Sequence, residues 1–171
     1  MSAAASASVT VRPAAFVLAL ARPEDAAALR AVVAAAFAQY EGVLDPPSGA
    51  LAESDASLGE KIRAGGAWQC RYDDTIVGCA FVTPRADHLY LGRLAVVPAW
   101  RGQGIADLLL ARVERQAREL GLPGVQMGVR LALPRLLAWY AARGYELLEE
   151  RAHPGYTTPT FAQLIKRLEP A

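Results

Sequence analysis

The chain has 171 residues, 53% of them hydrophobic and 20% charged, and a formal net charge of +1. That length suits one domain with one sizeable core, and that composition is globular, not disordered. A balanced charge without a dense Lys/Arg run leaves no footprint for nucleic acid, and no apolar run approaches a membrane span.

Residues 1–13, rich in Ala and Ser, read as a flexible tail ahead of a single domain over residues 14–171. Arg12 and the apolar run Ala14–Ala21 loosely imitate a signal peptide, but the charge is single and the run short. The same residues read as a strand, Phe16–Ala21, and a cytoplasmic protein is expected. Arg22-Pro23-Glu24-Asp25 opens a helix, since Pro suits the first turn and carboxylates suit its dipole. Leu29, Val32, Val33, Ala36 and Phe37 carry it to about Tyr40 with helical spacing. Gly42–Gly49, with Pro46 and Pro47, is a loop, and a weaker helix spans Ser54–Arg63 until Gly65-Gly66.

Trp68, Cys70 and Tyr72 alternate with polar neighbours, Asp73-Asp74 turns the chain, and Thr75–Thr83 resumes as a strand. After a turn at Pro84–Asp87, His88–Val97 reads as one almost unbroken strand ended by Pro98. Cys70 and Cys79 fall on neighbouring strands as buried, reduced thiols, and no His/Cys cluster has metal-ligand spacing, so no metal is expected. Ile105–Leu120 is the clearest helix, with Ile105, Leu108, Leu109, Val113, Ala117 and Leu120 on one stripe. Glu114–Arg118 and Arg115–Glu119 read as ion pairs on its solvent side. A short strand at Val125–Val129 and a helix at Pro134–Arg143, capped by Gly144, follow. Tyr145–Leu148 and Thr160–Leu168 are the last strands, with the loop Glu150–Pro159 between them. The order describes an α/β sandwich on a mixed sheet.

The turn Arg101-Gly102-Gln103-Gly104-Ile105-Ala106 links the long strand to the long helix. The first N–H groups of a helix lack internal partners, and its dipole favours an anion there by about 0.3–1 kcal/mol per charge. Glycines let the backbone approach such an anion, and Arg101 adds a forked cation. A triphosphate loop needs Gly-Lys-Ser/Thr, where this chain has Gly104-Ile105-Ala106. A dinucleotide fingerprint needs glycine at Asp107, whose carboxylate would also repel a pyrophosphate. Taken alone, the turn fits either an anion site or a tight strand-to-helix connection.

The stretch Leu89–Ala106, reading Leu-Tyr-Leu-Gly-Arg-Leu-Ala-Val-Val-Pro-Ala-Trp-Arg-Gly-Gln-Gly-Ile-Ala, resembles the core motif of the GNAT N-acetyltransferase superfamily. That motif is a Leu-Ala-Val-x-Pro strand followed by Arg-x-x-Gly-x-Gly/Ala, and Arg101, Gly104 and Ala106 match in register. Trp139-Tyr140-Ala141-Ala142-Arg143-Gly144-Tyr145 is similar to a second family segment. The resemblance implies a mostly antiparallel central sheet flanked by helices, with a splayed strand pair forming a cleft for acetyl-CoA. It implies that the backbone of Leu94, Ala95 and Val96 pairs with the pantetheine arm. The pyrophosphate would lie on the amides of Arg101, Gly102, Gln103, Gly104, Ile105 and Ala106. Acetyl would pass directly to an amine of a small molecule or peptide, without a covalent enzyme intermediate. A homodimer is in keeping with the family.

By the same resemblance Tyr140 stands where the family carries its general acid, and Tyr90 where many members carry a strand Glu as base. Tyrosine, with an ordinary pKa near 10, is a poor base. His88, two residues away on the same strand face, is the alternative base, or water relays the proton. Glu41 and Asp45, after the first helix, and His153 and Tyr156, in the late loop, are the expected acceptor contacts. Leu133 and Leu136 stand where the family often has a cofactor-contacting Asn. These two departures leave open a CoA-binding module without catalysis, and the turn alone leaves open a phosphate- or nucleotide-binding protein.

Overall fold

Residues 15–170 are described by the computed structural model, so the expected tail, residues 1–13, lies outside the described residues. Strand β1 (Phe16–Leu20) leads through a 3-10 turn at Pro23–Asp25 into helix α1 (Ala26–Phe37). Asp25 Oδ2 accepts from the Arg22 N–H at 2.8 Å, and Leu29, Val32, Val33 and Ala36 are buried as their spacing requires. Helix α2 (Asp55–Ala64) starts on a reciprocal cap, the Ser54 hydroxyl accepting from the Ser57 N–H and the Ser57 hydroxyl from the Ser54 N–H.

Strands β2 (Ala67–Tyr72) and β3 (Thr75–Pro84) form the hairpin, with Asp73 at φ 50° in the turn. Then come β4 (Leu89–Leu91), β5 (Ala95–Val96), α3 (Ile105–Glu119), β6 (Gly124–Arg130), α4 (Pro134–Ala141), β7 (Glu146–Arg151) and β8 (Phe161–Arg167). The sheet order is β1-β2-β3-β4-β6-β8-β7, with β5 also paired to β3. Every pairing is antiparallel except that of β4 with β6. Cys79 and Phe81 pack in the core built by α1 and α2, while Ala80 and Val82 join α3, Tyr140 and Tyr145 in the other. The alternation of β3 therefore puts one layer of helices on each face of the sheet. Cys70 lies in the second core and Cys79 in the first, both free and buried, and burial pushes the Cys79 thiol up to about 12.

Four expectations are corrected. His88–Val97 is two short strands, because Gly92–Leu94 face only Ala80 and Phe81 across β3 and form a bulge. The Gly92 N–H still reaches the Phe81 carbonyl at 2.7 Å, so the chain leaves the ladder only at Arg93 and Leu94. Leu108 and Leu120 are 42% and 51% exposed, while Leu110 and Glu114 turn inward. Glu114 does not pair with Arg118. It is 9% exposed and bonds Lys166 Nζ at 2.9 and 3.0 Å and the Tyr145 hydroxyl at 3.1 Å. Finally, β7 runs on to Arg151, which shortens the late loop.

Gly78 is where α3 comes closest to the sheet. A Cβ there would lie 2.9 Å from Ile105 Cγ2, 3.0 Å from the Ala95 carbonyl oxygen and 3.2 Å from Leu109 Cδ1. Gly78→Ala is expected to cost about 1–3 kcal/mol by overpacking, lowering the unfolding temperature by several degrees in a thermal melt. An unchanged melt would mean that α3 can retreat from β3 freely.

Candidate active site

The sheet opens where β4 meets β6. Only Leu89↔Val125 and Tyr90↔Gln126 pair, after which the bulge carries the chain to β5, which pairs with β3 alone. Among the described residues no strand pairs with the edge of Leu94–Val96 that faces β6. A cleft of about 1290 Å³ fills the gap, with Tyr90 and Gly92–Val96 on one wall and Gly128–Arg130 on the other. This is the splayed strand pair that the resemblance implies.

The turn before α3 forms the floor at one end. Gly102 and Gly104 adopt φ +78° and +80°, and Gly104 caps the helix in the left-handed conformation. A Cβ at either position would meet no atom of another described residue beyond its chain neighbours within 4 Å, so both glycine faces are open to a ligand. The Leu108 N–H is the first to find its helical acceptor, the Gly104 carbonyl at 3.0 Å. The amides from Gly102 to Asp107 form a donor cluster at the positive end of the dipole, whereas that of Arg101, expected to belong to it, is taken by the Pro98 carbonyl at 3.2 Å. Gly102, Gly104, Ile105 and Ala106 line the cleft, and Gln103 does not. Arg101 lines it too, with its Nη2 donating to the Ala36 carbonyl at the end of α1 at 3.0 Å.

Asp107, which argued against an anion at this turn, does not act as a free charge. Arg143 grips it with two parallel bonds, Nε to Oδ1 at 2.5 Å and Nη2 to Oδ2 at 3.1 Å, and holds its carboxyl below the usual range. The same guanidinium stacks 3.6 Å over the Trp139 ring. The ion pair ties the end of α4 to the start of α3, the stack holds the guanidinium against Trp139, and the residue beside Trp139 lines the cleft.

That residue is Tyr140, only 5% exposed and on the cleft wall. Its ring is held edge-on by Trp139 at 4.9 Å and Tyr145 at 5.5 Å. Its hydroxyl makes no hydrogen bond with another described residue. Burial, helped by Tyr40, raises its phenol well above the ordinary value, and the charge of Arg143 offsets this only in part. The phenol is therefore protonated at neutral pH and can serve as an acid but not as a base. Leu133 and Leu136 line the same wall, so an apolar surface stands at both positions.

The remaining candidates are divided. Tyr90 and His153 line the cleft. His88 does not; its Nδ1 lies 2.7 Å from Asp87 Oδ1 outside it. Glu41 is exposed off the cleft, and Asp45 accepts from the Tyr156 hydroxyl, with neither on the lining. His153 is fixed by Thr160, whose Oγ1 accepts the His153 N–H at 3.0 Å and lies 2.5 Å from Nδ1. Burial and the charge of Arg130 hold its imidazole below the usual 6.5, so it is neutral at pH 7. The sequence reading did not pick out Arg93, Arg130, Arg143 or Tyr40. Only Arg143 had a local signal, its place inside the Trp139–Tyr145 segment.

Among the described residues no helix is long and apolar enough to cross a membrane. No group of three or more His, Cys, Asp or Glu among them could hold a metal ion. Among solved structures, the chain is similar to the PaiA N-acetyltransferase of Thermoplasma acidophilum in complex with coenzyme A. The TM-score is 0.77 at 16% identity, over 90% of this chain and 99% of that one. It is similar to the ribosomal-protein-S18-alanine N-acetyltransferase of Escherichia coli, with TM-score 0.75 and 17% identity over 92% and 96%. Ard1 from Thermoplasma volcanium gives 0.75 and 12% over 90% and 98%. At such identities these likenesses establish the fold. No match is found among curated proteins. The model of the acetyltransferase (GNAT) family matches residues 29–145, well over half of the 171, and the chain belongs to that family.

Proposed function

We propose that the chain transfers acetyl from acetyl-CoA directly to an amine of a small molecule or peptide. The observation that carries this reading is one cleft holding three things: the free strand edge of Leu94–Val96, the donor turn at Arg101–Ala106, and the buried phenol of Tyr140. The pantetheine arm carries amides that suit an added strand, and the pyrophosphate suits the turn. Neutralising Asp107 with Arg143 removes the one charge that would oppose it.

In the transfer the amine nitrogen forms a bond to the acetyl carbon and the carbon–sulfur bond breaks. The Tyr140 hydroxyl donates to the sulfur as negative charge develops there. The proton lost by the attacking nitrogen goes to His153, the neutral imidazole on the cleft wall, directly or through water. No cysteine takes part, since both thiols are buried in the cores.

Thiol release from acetyl-CoA, followed with amino acids, peptides, polyamines and aminoglycosides as acceptors, tests the reading. Release that one of these amines accelerates, with an equal yield of N-acetyl product by mass spectrometry, is expected. Binding of acetyl-CoA without amine-dependent release would instead make the chain a CoA-binding module.

A further inference from the structure

Resting on the transfer reading above, we propose that the acceptor is a small primary amine bearing a carboxylate, of the α-amino-acid class, with Arg93 and Arg130 holding that carboxylate. The two arginines come from the two walls of the split. Tyr90 and Gln126 are the last residues paired across it, and Arg93 and Arg130 follow three and four positions later. The bulge at Gly92–Leu94 takes Arg93 off the ladder, and both residues line the cleft, Arg93 with its Nε and Nη2 also on Glu53 at 3.1 Å.

Their guanidiniums converge on one short loop. A Cβ on Gly49 would lie 3.2 Å from Arg93 Nη2, and Arg130 Nη2 donates to the Pro47 carbonyl at 3.1 Å, two residues earlier. Each guanidinium has five N–H donors. Among the described residues Arg130 uses one of its own on Pro47, which leaves a fork for a bidentate carboxylate. Burial pulls the Arg130 pKa below its ordinary value, a cost that a bound anion relieves.

The local charge balance points the same way. Among the described residues the cleft lining carries five arginines, Arg93, Arg101, Arg130, Arg143 and Arg151, and one carboxylate, Asp107, which Arg143 holds. The acids near Arg93, Arg130 and Arg151 are not on the lining, although Asp45 lies close enough to Arg130 to act on its charge. Glu53, its side chain 4% exposed, is shared between Arg93 at 3.1 Å and Lys61. Asp45 is engaged by the Tyr156 hydroxyl, and Glu149 lies 3.7 Å from Arg151 on exposed β7. Four cations thus meet three carboxylates, and of these seven groups only Arg93, Arg130 and Arg151 are on the lining. A polyamine or aminoglycoside would bring further positive charge into this cleft, whose lining carboxylate, Asp107, is already taken by Arg143.

The test uses the twenty amino acids, their methyl esters and spermidine as acceptors of the full chain. At least one free acid should exceed its own ester at least tenfold in kcat/KM. Arg130→Gln should lower that acid-to-ester ratio at least tenfold, and Arg130→Lys should recover part of it. A merely structural strap would lower both members of the pair together, which overturns the proposal, as does preference for spermidine or the esters. Calorimetric titration of the protein with N-acetyl amino acids and their methyl esters, with and without CoA, decides the matter even if no amine is turned over. Acid-selective binding supports the arginine site, and equal or absent binding overturns it. Failure of acetyl-CoA itself to bind is a separate result, and it removes the transfer reading.

Discussion

Replacing Tyr140 by Phe lowers turnover more than tenfold and leaves acetyl-CoA affinity within about twofold. The variant keeps the ring, and with it the edge contacts to Trp139 and Tyr145 that hold it in the core. What it removes is one donor at the sulfur, and a positioned general acid contributes about 10²–10⁴-fold. A loss of only tenfold already corresponds to about 1.4 kcal/mol of transition-state stabilisation. Since burial raises the phenol's pKa, Tyr140 stays protonated through neutral pH, and its ionisation will not appear as a fall in rate there. Steady-state kinetics with calorimetry of acetyl-CoA binding separates the terms. Unchanged turnover would remove Tyr140 as the proton donor.

The second large effect belongs to the turn. Gly104 sits at φ +80° with open space around the position of a Cβ, so the side chain of Gly104→Val grows into the approach to the amides. Two consequences separate. A branched residue in the left-handed region costs roughly 1–2 kcal/mol of stability wherever it is placed. Loss of acetyl-CoA affinity, expected to exceed tenfold, follows only if the ligand uses this backbone. Gly121, at φ +68° just past the other end of α3 and equally open, provides the matched control. Gly121→Val should lose similar stability and bind acetyl-CoA normally. If Gly104→Val folds and binds as tightly as the parent, the turn is only a connection between strand and helix.

What could be read from the sequence was local. Pro23, Gly65-Gly66, Asp73-Asp74, Pro98 and Gly144 each mark a boundary that the structure keeps, because Gly, Pro and Asp act through the backbone of their own turn. The glycine turn and Tyr140 belong to short segments whose spacing survives in one sequence, and the structure brings both to one cleft. Contacts made across long sequence separations were hidden. Glu114 reads as half of a helical ion pair with Arg118, but its partners Lys166 and Tyr145 stand 52 and 31 residues away. Asp107 reads as a charge opposed to phosphate until Arg143, 36 residues on, is seen to neutralise it. The run His88–Val97 is apolar enough to hide a bulge, whose sign in the sequence is a single Gly92. Arg93 and Arg130 carry no motif at all; the diverging walls of the cleft bring them together. His88 shows the converse. Neighbourhood on the chain made it a candidate base, and the structure leaves it against Asp87 off the cleft.

The central claim is that the cleft between β5 and β6, floored by the turn at Arg101–Ala106, is a site for acetyl-CoA. Thermal unfolding with acetyl-CoA, ATP and NAD in parallel tests it most directly. A ligand at a hundred times its dissociation constant stabilises the folded chain by about 2.7 kcal/mol, which for a domain of this size is a rise of about 5–10 °C. The account predicts that rise with acetyl-CoA and none with ATP or NAD. A rise as large with ATP or NAD, or no rise with acetyl-CoA, would contradict it.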